Sequence, residues 1–254
     1  MKSIAIIGSG RMARFLAQRL HTNYRLLAIV ARNVAMATSM SRKYKCTASS
    51  ISDFNINQVD IAIIAVSDDA ILPVIKMLGK TSTTIIHTSG TKALVVLESY
   101  TFNCGVLWPV VSVNDNAKYG AQFNCSYEGS NTKTKREVLA LAKALGAKPF
   151  YQSSVQREVS HLAAVMVNNF VNHIYHKANA VLLQHDIKPE IIYQIIRATA
   201  ENAIVYGAEN LQTGPALRKD KTTMQRHLQL IKEYPELCKI YKAISESIMH
   251  SSQN

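Results

Sequence analysis

The sequence predicts an α/β fold, in which a mainly parallel sheet covered by helices on both faces is followed by an all-helical domain. Three observations predict it. A short apolar run near the start ends in a glycine turn, apolar strands then alternate with helical periodicity to about residue 90, and strand-like runs disappear after Ser153. With 254 residues, 48% of them hydrophobic, the chain can bury a sizeable core. Two domains are expected, at residues 1–152 and 153–254.

Ile4-Ala5-Ile6-Ile7 is continuously apolar, as in a strand covered on both faces of a parallel sheet. Gly8-Ser9-Gly10-Arg11-Met12-Ala13 follows, and Met12, Phe15, Leu16, Arg19 and Leu20 then recur at helical spacing before a second buried strand at residues 24–30. Residues 59–66 and 83–87 read as further strands, with a helix over about residues 70–78 between them. Such sheets connect right-handed and bind ligands beyond the carboxyl ends of their strands, which places Val66, Ser67, Asp68, His87 and Ser89 near a ligand.

Beyond Ser153, apolar residues from Val159 through Phe170 to Leu182 keep helical spacing and predict one helix of about 30 residues, roughly 45 Å long. Ser153 or Ser154 would cap it, and the segment from His185 to Pro189 would end it. Helices are expected at about 190–206, 222–232 and 235–250, with the loop Thr213-Gly214-Pro215 after the first of these. A helix as long as the first needs a partner to cover its surface, so a homodimer through the helical domain is expected.

Lysine and arginine number 29 against 17 acidic residues, and the net charge of +12 favours an anionic partner. The basic residues are scattered. Lys133-Thr134-Lys135-Arg136 reads as a solvated face, and no basic stripe interleaved with aromatics suits single-stranded nucleic acid, so nucleic acid is not the expected partner. The four cysteines are far apart, without metal-ligand spacing, and are expected to be reduced, buried thiols. Neither a signal segment nor an apolar span of membrane length is present, so a cytoplasmic protein without metal is expected.

The Gly-x-Gly-x-x-Ala pattern sits between strand and helix, the context in which each of its residues has a physical role. Gly8 permits the turn, Gly10 lets a pyrophosphate approach the backbone, and Ala13 allows close helix packing. Ser9, Arg11 and Met12 complete the loop, and the helix start offers N–H groups to phosphate. The second strand of an NAD site usually ends in an acidic residue that accepts from the ribose. Here Ala31-Arg32-Asn33 stands at that place; Arg32 can fork onto a 2′-phosphate, and Arg11 can stack on adenine or add charge. NADP(H) is therefore the expected cofactor.

Ala65-Val66-Ser67-Asp68, the His87-Thr88-Ser89-Gly90 turn, Glu128-Gly129, the helix segment His161 to Phe170, and the stretch Thr213-Gly214-Pro215-Ala216-Leu217-Arg218-Lys219-Asp220 with His227 together resemble a family of bacterial proteins provisionally assigned as NADP oxidoreductases. The resemblance implies a Rossmann-type domain followed by a 6-phosphogluconate-dehydrogenase-like helical domain of unknown function. The fold is that of pyrroline-5-carboxylate reductase, ketopantoate reductase and the β-hydroxyacid dehydrogenases. One departure is that the family often carries His-Pro where this chain has Trp108-Pro109. In the β-hydroxyacid dehydrogenases a catalytic lysine precedes an Asn-Asn pair; this chain keeps Asn168-Asn169 but has Val165 at the lysine position.

His161, one helical turn before Val165, shares a face with it and with Asn168 or Asn169, and an imidazole there can protonate the product of hydride transfer. His161 can equally be a surface or hydrogen-bonded core histidine. Asn168 and Asn169 can orient substrate or bond a neighbouring helix, Arg218 can clamp a carboxylate, and Asp220 can cap the next helix or pair with Arg218. The expected function is NADPH-dependent reduction of a small carbonyl or imine, anionic substrates included, held between the domains. The alternative is a non-catalytic NADP(H)-binding sensor or interaction protein.

Overall fold

The computed structural model describes residues 1–114 and 122–251, which fall into two compact units, Met1–Asn168 and Asn169–Asn254. Residue 152, where a domain boundary is expected, immediately precedes the cap of the first helix of the helical portion; the units divide further on.

The first unit holds an eight-stranded sheet, with β1 (Ser3–Ile7), β2 (Arg25–Val30), β3 (Thr47–Ser49), β4 (Ile61–Ile64), β5 (Thr84–His87), β6 (Cys104–Pro109), β7 (Phe123–Gly129) and β8 (Ala147–Tyr151) in the order β3-β2-β1-β4-β5-β6-β7-β8. Neighbours run parallel except β6 and β7. The order reverses at β1, whose Ile7 lies opposite Val30 of β2 and Ile64 of β4, and a crevice at such a reversal is where these sheets bind ligands.

Helices α1 (Arg11–Leu20), α2 (Val34–Tyr44), α3 (Asp68–Leu78), α4 (Thr132–Ala144) and α5 (Ser154–Ala164) accompany the sheet. Alternate side chains of β1 feed two cores: Ile4 and Ile6 pack with Leu16, Leu20, Val138 and Leu141, whereas Ala5 and Ile7 pack with Ile71, Val74 and Ile75. Burial on both sides explains why β1 after Ser3 and all of β4 are apolar at every position. The basic residues of the run at 133–136, Lys133, Lys135 and Arg136, are exposed, as expected of a solvated face, while Thr134 between them is fully buried.

The second unit is all-helical as expected, with α6 (Val171–Gln184), α7 (Tyr193–Tyr206), α8 (Lys221–Leu230) and α9 (Pro235–Ser251). The helix expected from Ser153 runs without a break from Ser154 to Gln184, but it is not α-helical throughout. Ser153 caps it through a capping box with Gln156, but α5 is followed by a π-helical stretch, Val165–Phe170, and only then by α6. The π turns break the 3.6-residue spacing on which a common face for His161 and Asn168 depended. None of α6, α7 and α8 contains a buried residue, and Ile204, 85% exposed, stands out most among the large hydrophobic side chains. No helix among the described residues is long and apolar enough to cross a membrane.

Candidate functional site

The glycine turn opens onto a cleft of about 600 Å³ at the β1/β4 reversal. Gly8 holds φ +135°, and a Cβ there would stand 2.2 Å from the Ala65 carbonyl oxygen, so the turn tolerates no side chain. Its amide donates to Val30 O at 2.7 Å, and the Ala65 amide donates to Ile7 O at 2.8 Å, which fixes the turn against both neighbouring strands. Of the residues expected to contact a cofactor, Gly8, Ser9, Gly10, Arg11, Met12, Arg32, Asn33, Val66 and Ser67 line this cleft.

Three others do not. Ala13 is fully buried in the core, where it lets α1 approach the sheet. Asp68 accepts from Thr91 Oγ1 at 2.5 Å, and Ser89 Oγ accepts from the amides of Thr91 and Lys92 at 3.1 and 2.9 Å. Both side chains thus shape the turn after β5 instead of facing the cleft. Met36, Ile51, Val74, Val111 and Val113 line the cleft without having been expected to; they are apolar contributions from separate segments that no local motif marks.

The residues present fit a dinucleotide. Gly10 precedes α1 without a side-chain cap, the first turn of α1 holds no acidic residue, and a Cβ built on Gly10 meets nothing within 4 Å. The space over this helix start is therefore open to a phosphate at the positive end of the helix dipole. Gly10→Ala is expected to leave thermal stability nearly unchanged while weakening NADPH binding about tenfold or more, because the methyl group occupies only the cradle; titrating both proteins checks this. Arg11 and Arg32 are exposed, and Asn33 caps α2 by accepting from the Met36 amide at 3.2 Å.

A second group of residues surrounds His161. Trp108, near the end of β6, is 8% exposed, and its ring centre lies 5.6 Å from that of His161. The turn after β5 closes on the same imidazole, since a Cβ on Gly90 would come within 2.4 Å of His161 Cδ2 and 3.0 Å of Trp108 Cε2. Glycine is thus required at position 90 for the ring to sit there. His161 is half-buried and makes no hydrogen bond among the described residues, so it is not a hydrogen-bonded core histidine.

One turn back along α5, Arg157 is completely buried. Its Nη1 donates to Glu128 Oε2 at 2.6 Å and its Nη2 to Lys92 O at 2.7 Å, while Ser154 Oγ donates to Glu128 Oε2 at 2.9 Å and accepts from the Leu94 amide at 3.0 Å. These bonds tie α5 to β7 and to the segment after β5 and so hold His161 against Trp108. No sequence motif announced Arg157, because a basic residue in a mixed helix reads as surface.

His87, at the end of β5, is fully buried and accepts from the Ser89 amide at Nδ1. Burial, and then the Arg157 charge, push its pKa from 6.5 down to about 4. The folded protein therefore keeps His87 neutral at pH values where the unfolded chain binds a proton, so its contribution is complete above pH 6.5 and falls as the pH drops towards 4. At about 1.4 kcal/mol per pH unit, acidification across that window is expected to cost about 3 kcal/mol, and His87→Phe should flatten this part of the stability profile measured by urea unfolding.

Asn168 closes the first unit and Asn169 opens the second, both exposed within the π stretch, a local geometry common at functional sites. In the second unit Arg218 is exposed. Asp220 caps α8, accepting from the Thr223 amide at 3.0 Å and from Thr223 Oγ1 at 2.7 Å, and these bonds hold its pKa below the usual carboxylate value. His227 Nδ1 lies 2.9 Å from Tyr241 Oη of α9. All four cysteines are free; Cys104 and Cys125 are buried, whereas Cys46 and Cys238, against expectation, are only partly so. Among the described residues no cluster suits a metal ion.

Residues 123–248 match a domain of unknown function, DUF2520, and residues 1–88 match the shikimate/quinate 5-dehydrogenase family. No protein of curated function matches the chain. Among solved structures, a Bacteroides fragilis protein provisionally assigned as an NADP oxidoreductase aligns with a TM-score of 0.88 at 24% identity over 98% of both chains. A reductive aminase from Aspergillus terreus, solved with NADPH and ethyl-5-oxohexanoate, aligns at 0.73 and 15% identity, over 98% of this chain and 94% of its own. The 1-pyrroline-5-carboxylate reductase of Streptococcus pyogenes aligns at 0.63 and 14% identity over 98% of both. The chain thus has the Rossmann-type fold with a helical C-terminal portion that these reductases share. Its C-terminal half carries the DUF2520 domain, which bears out the family resemblance of the motifs.

Proposed function

We propose that this protein is an NADP(H)-dependent oxidoreductase that reduces a small carbonyl or imine compound. The observation that carries the reading is the cleft at the β1/β4 reversal, in which an open glycine cradle over the start of α1 lies in one cavity with Arg11 and Arg32. Backbone amides of the turn and of α1 bind the pyrophosphate, and Arg32 forks onto the 2′-phosphate. NADPH, when bound, supplies a hydride. His161, held against Trp108 and Gly90 by the Arg157–Glu128 pair, is the group that donates a proton to the oxygen or nitrogen of the reduced substrate. Arg218, exposed in its loop, anchors an anionic group of the substrate, and Asn168 and Asn169 orient its polar atoms.

A panel of small carbonyl and imine compounds, followed by NADPH absorbance in single turnovers, tests the reading. A compound that turns over is expected to do so about 10²–10⁴-fold more slowly with His161→Ala; an unchanged rate removes His161 as the acid. Val165 in place of a lysine favours the second reading, a non-catalytic sensor, for which NADPH binds tightly and nothing in the panel oxidises it. The exposed apolar residues of α7, Ile204 at 85% and Val205 at 68%, support a homodimer, with a two-chain mass expected in sedimentation equilibrium and a one-chain mass contradicting it. The buried free thiols of Cys104 and Cys125 support a reducing, cytoplasmic setting.

A further inference from the structure

The Thr213-Gly214-Pro215 stretch and His227 are the most distinctive motif of the helical unit, and the proposed reaction does not account for all of it. Both border a cavity of about 320 Å³ contained within that unit. Its walls are Ile174 of α6, Pro215 of the motif loop, and Leu237, Ile240, Ile244 and Ile248, which repeat along one face of α9.

The loop is built to form this wall. Gly214 takes φ +106°, the Asp220 amide donates to Pro215 O at 2.9 Å, and Asp220 then caps α8. The cap fixes where α8 starts, and so brings His227, near the end of α8, to the cavity beside Tyr241.

The cavity's polar lining consists of three hydroxyl residues, Thr213, Tyr241 and Ser245, together with two basic ones, Lys177 and His227. Lys177 lines it and forms neither ion pair nor hydrogen bond among the described residues. Glu236, outside the lining, is bonded to Lys239 at 2.9 Å and also feels the Lys177 charge. His227 uses Nδ1 on Tyr241, which leaves Nε2 without a hydrogen-bond partner among the described residues. No carboxylate lines the cavity among the described residues. An apolar chamber with a lysine and an imidazole, in the size range of small-ligand sites, complements an aliphatic body ending in one negative charge.

We propose that this cavity is a second ligand site, separate from the cofactor cleft, that binds a small aliphatic monocarboxylic acid with its chain among the isoleucines of α9 and its carboxylate on Lys177 and His227. Its occupancy does not require NADP(H).

Calorimetric titration of the 254-residue chain with octanoate, alongside 1-octanol and acetate, tests it. Saturable octanoate binding is expected, about tenfold or more weaker for octanol, which lacks the charge, and for acetate, which lacks the chain. Ile244→Trp, which fills the chamber, should abolish binding, and Lys177→Met should weaken it about tenfold, with helical content by circular dichroism and NADPH affinity both unchanged. Absence of saturable octanoate binding overturns the proposal. So does octanoate binding that survives Ile244→Trp, or a variant that changes only the oligomeric mass, which would make the chamber a contact between two copies. Because NADPH affinity is read in the same samples, failure here is distinguishable from failure of the cofactor assignment.

Discussion

Arg157→Ala is expected to lower the stability of the protein by about 3–5 kcal/mol, through loss of one partner of a buried ion pair. Arg157 is completely inaccessible and the Glu128 side chain is 12% exposed, so removal of the guanidinium leaves a carboxylate with little water to solvate it. The Lys92 carbonyl also loses its donor at 2.7 Å. Urea unfolding should show a lower midpoint with an unchanged slope. Arg157→Met combined with Glu128→Gln should recover much of the loss, because a buried pair replaced as a unit costs far less than one that is broken. A loss below about 1 kcal/mol for Arg157→Ala would place the pair among ordinary surface bridges and remove the argument that it holds α5. The emission of Trp108, the single tryptophan, gives a local reading of the same event, since His161 packs on its ring.

Arg32→Asp is expected to weaken NADPH binding about 100-fold while changing NADH binding little. A charge-assisted hydrogen bond contributes about 1.5–3 kcal/mol, or about 10- to 150-fold in affinity, and an aspartate there adds repulsion towards the phosphate. Arg32 stands just beyond the end of β2, at the rim of the cleft. Equal loss for both nucleotides would mean that Arg32 contributes a general field and does not recognise the 2′-phosphate.

The cofactor half of the site was legible because its residues are adjacent in the chain and backbone geometry dictates their types. Gly8 is required by a positive φ and the nearby Ala65 carbonyl, and Gly10 by what must fit above it. The strands read correctly from sequence, β1, β2, β4 and β5, are enclosed by the cores on both faces and carry largely apolar runs. β6 is enclosed as completely, but its run is broken by Gly105 and ends at Pro109; β3 has only three residues, and β7 mixes polar and apolar positions beside the exposed edge strand β8.

The surroundings of His161 were only partly legible. Its partners Trp108 and Gly90 come from β6 and the turn after β5, and nothing local to any of the three segments announces their meeting. Ser89 and Asp68 were placed correctly at strand ends, yet their side chains are engaged by Thr91 and Lys92, which depends on the conformation of one turn. The π stretch was likewise invisible, because Val165–Phe170 has the composition of an ordinary helix.

The most direct measurement of the central claim is a calorimetric titration of the unmodified protein with NADPH and, separately, with NADH. The glycine cradle together with Arg11 and Arg32 predicts saturable NADPH binding, with NADH at least about tenfold weaker. Equal affinities, or a preference for NADH, would contradict the assignment of Arg32 to the 2′-phosphate, and binding of neither would contradict the dinucleotide site itself.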